Sequence, residues 1–155
     1  MMIKRIVCAL CAVMLALSLC ACGEKTKSID MQALENSMVS ADKTLPEMKV
    51  SGSWDENAEK AFSYISDLGY NKIHGFFLAY AADGMAYEIA VVQLKDKSDA
   101  SAMADSLRVQ MYKTYEPQQV QRAESAVVKT DGDCVLLIMS DAPQNAETAF
   151  KEFTK

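Results

Sequence analysis

Gly75-Phe76-Phe77-Leu78-Ala79-Tyr80-Ala81-Ala82-Asp83-Gly84-Met85-Ala86-Tyr87-Glu88-Ile89-Ala90-Val91-Val92-Gln93-Leu94 holds two apolar runs on either side of an Asp-Gly pair. Asp-Gly is favoured in a two-residue hairpin because both central residues need positive φ. With Asp83 and Gly84 as the turn, Tyr80 faces Tyr87, Leu78 faces Ile89 and Phe76 faces Val91, and these pairs share one bulky face whose burial is expected to dominate folding. The opposite face holds Phe77, Ala79, Ala81, Ala86, Ala90 and Glu88. Both faces are largely apolar, so the sheet is expected to be covered on both sides or to meet another chain on one.

Downstream, Ser98-Asp99 opens a helix with a narrow stripe of Ala100, Met103, Ala104, Leu107 and Met111, from which Val109 and Tyr112 point away, and Pro117 stops it. A second hairpin follows, Ser125 to Thr130 and Asp133 to Ser140 around Asp131-Gly132, placing Val128 opposite Val135 and Lys129 opposite Cys134. Asp141, with Pro143 in the first turn and Gln144 three residues after the cap, opens a last helix bearing Ala142, Ala146, Ala149, Phe150 and Phe153. The order from residue 75 is ββαββα, a loose internal duplication with an Asp-Gly turn in each half.

Upstream, Met31, Leu34, Met38 and Ala41 recur at helical spacing, with Ser28 or Asp30 as cap. Residues 46–52 read weakly as extended. Ser53-Trp54-Asp55-Glu56 has the form of a capping box for a helix from Trp54 to Leu68, closed by a left-handed Gly69. The fold expected is α+β: two N-terminal helices, then an antiparallel sheet of at least four strands with helices packed on it.

The start of the chain is of another kind. Lys4 and Arg5 precede an apolar run, Ile6 to Leu19, that is shorter than the roughly 20 residues of a membrane-spanning helix. It ends in Leu19-Cys20-Ala21-Cys22, the pattern of a lipobox, with an apolar residue three positions before a cysteine and a small residue just before it. Residues 1–21 therefore read as a lipoprotein signal peptide, Cys22 as the lipidation site, residues 22–28 as a tether reaching about 15 to 20 Å, and residues 29–155 as a single α+β domain. Localisation at the extracytoplasmic face of a bacterial cell membrane follows, with the membrane as a partner through the lipid anchor.

The chain has 155 residues and a formal net charge of −5. Cleavage before Cys22 removes Lys4 and Arg5 and no acid, deepening the negative charge by two. An acidic body repels phosphate, so nucleic-acid binding is disfavoured. Cys8, Cys11, Cys20 and Cys22 lie in or at the end of the signal, leaving Cys134 as the one thiol and no intrachain disulfide. With 50% hydrophobic and 24% charged residues, stability must come from a core.

The lipobox, the N-terminal helix, Tyr87-Glu88-Ile89-Ala90-Val91 with Lys95-Asp96 after it, the helix ending near Tyr115, Ala126-Val127-Val128-Lys129 and the apolar run Val135 to Met139 resemble an uncharacterised bacterial lipoprotein family, domain of unknown function 4358. The resemblance implies extracytoplasmic anchoring and an α+β fold. It supplies no activity and no site residues.

Chemistry-bearing residues are few. His74 is the one histidine, which leaves no His-rich metal cluster and at most one imidazole for a catalytic triad. Cys134, set in an apolar strand, reads as a small buried hydrophobe with a blunted thiolate. Glu88 lies among alanines, where a charge is costly unless paired, with Lys129 or another lysine the expected partner. Asp96, Asp99, Asp131 and Asp133 lack the glycine and spacing of a calcium loop, and neither a phosphate-binding glycine loop nor a nucleophile elbow is present, so no metal and no cofactor are expected. The expected function is a non-enzymatic binding domain for an envelope protein or other envelope component, with Glu88 as a ligand or partner contact. The alternative is a cell-surface hydrolase or thiol enzyme, for which at least two of His74, Cys134 and Glu88 must converge.

Overall fold

The computed structural model describes residues 27–155. Five strands, β1 (Met48–Gly52), β2 (Ile73–Ala81), β3 (Glu88–Leu94), β4 (Val127–Asp131) and β5 (Cys134–Met139), pair antiparallel in the order β1-β2-β3-β5-β4. Among the described residues five α-helices accompany them: α1 (Met31–Ala41), α2 (Ala58–Phe62), α3 (Ala100–Thr114), α4 (Val120–Glu124) and α5 (Pro143–Phe153). The fold is thus α+β, and the weakly extended segment before Ser53 becomes an edge strand. No helix among the described residues is long and apolar enough to cross a membrane. The expected signal peptide and the expected lipidation site Cys22 lie outside the described residues.

The central hairpin forms, but β3 is shifted by one residue from the expected register. Tyr80 pairs with Glu88, Leu78 with Ala90 and Phe76 with Val92. Gly84 alone takes a positive φ, +79°, so Asp83-Gly84 is not a two-residue turn of the expected kind. Gly84 N–H instead bonds the Ala81 carbonyl at 3.2 Å, Met85 N–H the Asp83 carboxylate at 3.0 Å and Tyr87 N–H the Met85 carbonyl at 2.8 Å, which lengthens the connection. The Tyr87 carbonyl still accepts from Ala81 N–H at 3.1 Å, but its side chain turns away to other partners. Its hydroxyl donates to Asp141 at 2.9 Å, and the Arg122 guanidinium, itself paired with Asp141, lies 4.1 Å above its ring. A one-residue slip exchanges the two faces of a strand, so Glu88 points to the side of Leu78 and Tyr80, away from Ala79.

The second hairpin shifts by two. Asp131 pairs with Cys134 and Val128 with Leu137, leaving Gly132 and Asp133 as the central residues, with positive φ at the glycine only, the pattern of a type II′ turn. An even shift leaves the faces unchanged.

Both faces of the sheet are covered, as their apolar character requires. On the first, Phe76, Leu78, Ala90, Val92, Val135 and Leu137 meet α2, the turn after it, and the stripe Met103, Leu107 and Met111 of α3. Phe62, Tyr70 and Phe76 pack edge to face there, with centroids 5.3 to 6.2 Å apart. On the second, Phe77, Ala79, Ile89, Val91, Leu136 and Ile138 meet Met31, Leu34 and Met38 of α1 and Ala146, Ala149 and Phe150 of α5. The two central strands β3 and β5 and their outer partners β2 and β4 obey a local twofold. The helices do not, because α3 and α5 lie on opposite faces, so the duplication stops at the hairpins.

Two expected caps are used elsewhere. Asp30 does cap α1, accepting from Ala33 N–H at 3.0 Å. Ser53 does not cap a helix: its hydroxyl accepts from Phe76 N–H at 2.7 Å, and the helical stretch shrinks to α2. That helix fails to reach Leu68 because Asp67 N–H bonds Ser106 Oγ and Leu68 N–H bonds Ser66 Oγ, both at 3.1 Å, which ties the chain to α3. Gly69 accordingly has φ −62° rather than a left-handed value. Trp54, expected as the first residue of that helix, is exposed over Gly52. Asp141 is held by Tyr87 and Arg122, and α5 starts at Pro143 after Ala142 without a side-chain cap.

At the far end of β3 the buried amide of Gln93 fixes the entry of the chain. Its Oε1 accepts from Ile29 N–H at 3.0 Å, and its Nε2 donates to the Lys27 carbonyl and to the Asp133 carboxylate, each at 2.8 Å.

Candidate functional site

Glu88 opens β3 at the end of the sheet remote from Gln93. Its side chain is 7% exposed and forms part of the wall of a cleft of about 450 Å³ between the first face of the sheet, the turn after α2 and the C-terminal half of α3. Leu78 and Tyr80 of β2, Ile65 and Tyr64 of the turn, Leu107 and Met111 of α3 and Tyr115, the residue that follows α3, contribute to the lining. Tyr115 lies one turn beyond Met111 on the same stripe, so the helix that covers the sheet also carries a hydroxyl to the carboxylate. Tyr115 Oη donates to Glu88 Oε2 at 2.8 Å. Glu88 Oε1 accepts no hydrogen bond among the described residues.

Burial dominates the electrostatics, since a charged carboxylate is disfavoured where solvent is excluded. It pushes the Glu88 carboxyl up to about 7, against the pull of the Tyr115 hydrogen bond, which favours the charged form. Burial likewise raises the Tyr115 phenol, and the neighbouring Glu88 charge raises it further. A mostly apolar cleft with one perturbed carboxyl at its wall has the makeup of a ligand site.

Lys129, the expected partner of Glu88, is not there. It stands on edge strand β4 and donates to Glu147 Oε2 at 2.7 Å, and Lys151 binds the other oxygen at 2.8 Å. The two lysines hold the Glu147 carboxyl below its usual range. The face around Glu88 is also not the alanine-rich face, because the slip of β3 places Ala79 on the side covered by α1.

His74 and Cys134 belong to the opposite end of the sheet. His74 is exposed at an irregularity of β2 between Ile73 and Gly75. Cys134 pairs with Gln93, five residues along β3 from Glu88, or about 17 Å away. Its side chain lies on the second face, 2% exposed, and burial, reinforced by Asp133, pushes the thiol up to about 12. The three groups are not brought together. A second cleft, about 570 Å³, lies beside Cys134 between the Lys27–Asp30 segment and the end of α5; of its polar groups, Gln93 and Asp133 are engaged with each other and with the entering chain.

Glu88, singled out from the sequence as a possible contact, lies in this cleft beside Tyr115, Tyr80 and Leu78, which sequence reasoning does not connect with it. The spacing Leu107, Met111, Tyr115 is the signal that was legible for Tyr115.

No curated protein and no solved structure matches the chain. A family model matches residues 50–140, which run from β1 to the end of β5 and include Glu88, Tyr115 and the rest of the cleft. The chain belongs to the family described as Domain of unknown function (DUF4358).

Proposed function

We propose that this protein is a lipid-anchored, extracytoplasmic binding domain, held to the membrane through Cys22, that takes a small apolar ligand of the cell envelope in the cleft beside Glu88. The observation that carries the binding reading is a nearly buried carboxyl, one oxygen of which accepts no hydrogen bond, in an apolar cleft of about 450 Å³. Oε1 keeps contact with solvent, so a ligand donor that enters the cleft can take the place of water there. The absence of His74 and Cys134 from this cleft supports binding over hydrolysis or thiol chemistry. The lipobox and the charged start of the chain support the anchoring.

Native mass spectrometry of the protein released gently from its membrane tests the binding. A bound small mass is expected on the wild type and is expected to be missing from Ala61→Trp, which fills the rim of the cleft without removing a core side chain. An identical spectrum for the two proteins refutes the cleft. For the anchor, fatty-acid label is expected on the wild type and absent from Cys22→Ser, since serine cannot form the thioether; label retained by the variant excludes Cys22 as the acceptor.

A further inference from the structure

We infer that the ligand of the cleft is an organic ammonium compound, a primary amine on a flat or branched apolar body, whose ammonium group donates to Glu88 Oε1. The inference rests on the binding reading above and gives its ligand a chemical class. Three observations carry it.

The first is charge. Among the described residues that line the cleft, Glu88 is the one Asp, Glu, Lys, Arg or His. The titratable groups that line the cleft with it are phenols: Tyr80 across the ladder on β2, Tyr115 just after α3 and Tyr64 from the turn after α2. Its partner on β5 is the apolar Met139. A carboxylate in such surroundings lacks a counter-charge, and a ligand that brings one relieves the desolvation of the ionised form.

The second is hydrogen bonding. Oε2 is occupied by the Tyr115 hydroxyl, which donates and so favours the ionised acid. Oε1 is left to an outside donor. An ammonium group is a strong one, because a charge-assisted bond is about twice as strong as a neutral one. The third is the lining. Tyr64 and Tyr80 are both solvent-exposed at the rim, offering ring faces that attract a cation, while Leu78, Leu107 and Met111 supply an apolar floor for the body of the ligand.

Binding of an ammonium group must favour the ionised Glu88, whose acid burial pushes up to about 7, so a proton leaves the protein as the amine enters. Titration calorimetry of the whole protein with 2-phenylethylamine, 2-phenylethanol and 3-phenylpropionate tests this. These probes share an aromatic body and differ in charge at its end. At pH 8 the amine is expected to bind about tenfold more tightly than the alcohol, as befits a hydrogen bond to a charged group. Its affinity is expected to fall by about the same factor at pH 5.5, where Glu88 is protonated. Both differences are expected to vanish in Glu88→Gln, whose folding is checked by its unfolding transition. If the alcohol or the carboxylate binds as tightly as the amine, or if Glu88→Gln keeps the preference, the ammonium assignment is wrong while the cleft remains a binding site. If none of the three probes binds, the binding reading falls with it.

Discussion

Replacing Glu88 by glutamine is expected to make the protein more stable at alkaline pH and to leave it unchanged in acid. The carboxyl titrates near 4.5 when exposed and is pushed up to about 7 by burial in the native protein. The native state therefore holds its proton more tightly than the unfolded chain. The associated stability is fully present below about 4.5 and is lost as the pH rises through about 7. A difference of this size corresponds to about 3 kcal/mol, or roughly 10 °C in melting temperature for a domain of this length. Glutamine has the shape of the neutral acid, and its carbonyl oxygen can accept the Tyr115 hydroxyl in place of Oε2. Urea unfolding of the two proteins in parallel from pH 4.5 to pH 8 isolates the effect, because the remaining titrating groups cancel in the difference. The expected curve starts near zero and climbs to about 3 kcal/mol in favour of the variant. A flat difference, or a variant weaker than the wild type at pH 8, would refute the burial of an unpaired carboxyl.

Tyr115→Phe removes the one described hydrogen bond to Glu88, so the carbon resonance of the Glu88 carboxyl should titrate at higher pH than in the wild type; a downward move would mean that the hydroxyl does not hold the ionised form. Cys134, buried with its thiol pushed up to about 12, should react slowly with a thiol reagent at neutral pH and quickly in denaturant, and rapid native labelling would revive a thiol enzyme. Leu34→Ala should destabilise by about 2 to 5 kcal/mol, since Leu34 is fully buried against the second face of the sheet. Unchanged urea unfolding would mean that α1 is not part of the core.

Periodicity carried the architecture. The stripes of α1 and α3 turn inward, with Ala41 only half-buried and Glu35 and Ser106 buried beside them, and two apolar faces on the hairpin did mean a sheet covered twice. What misled was local chemistry that tertiary partners claim. Asp-Gly favours a tight turn, yet the pull of Asp141 and Arg122 on Tyr87 draws the strand into a longer connection, and a slip of one residue was enough to move Glu88 to the other face. At Asp131-Gly132 the slip was two, so an equally wrong register left the faces right. The capping box at Ser53 failed for a related reason, because the edge of β2 offers its hydroxyl a backbone donor before any helix does. Glu88 was legible as a charge out of place. Its neighbours were not, since they come from a helix and a strand whose meeting depends on that parity.

The clamp made by Gln93 has a consequence for how the molecule stands. The chain enters at Lys27, whose carbonyl is pinned to the end of β3, and Glu88 lies at the other end, about 17 Å along the strand. If Cys22 sits in lipid as proposed, the five residues to Lys27 allow at most about 18 Å of slack. The domain then stands like a post on a short leash, with its footing at Gln93 and its open cleft at the top. That slack matches the roughly 17 Å from Gln93 to Glu88, so the cleft would open above the bilayer when the domain stands upright and would meet the lipid surface only when the domain tips over.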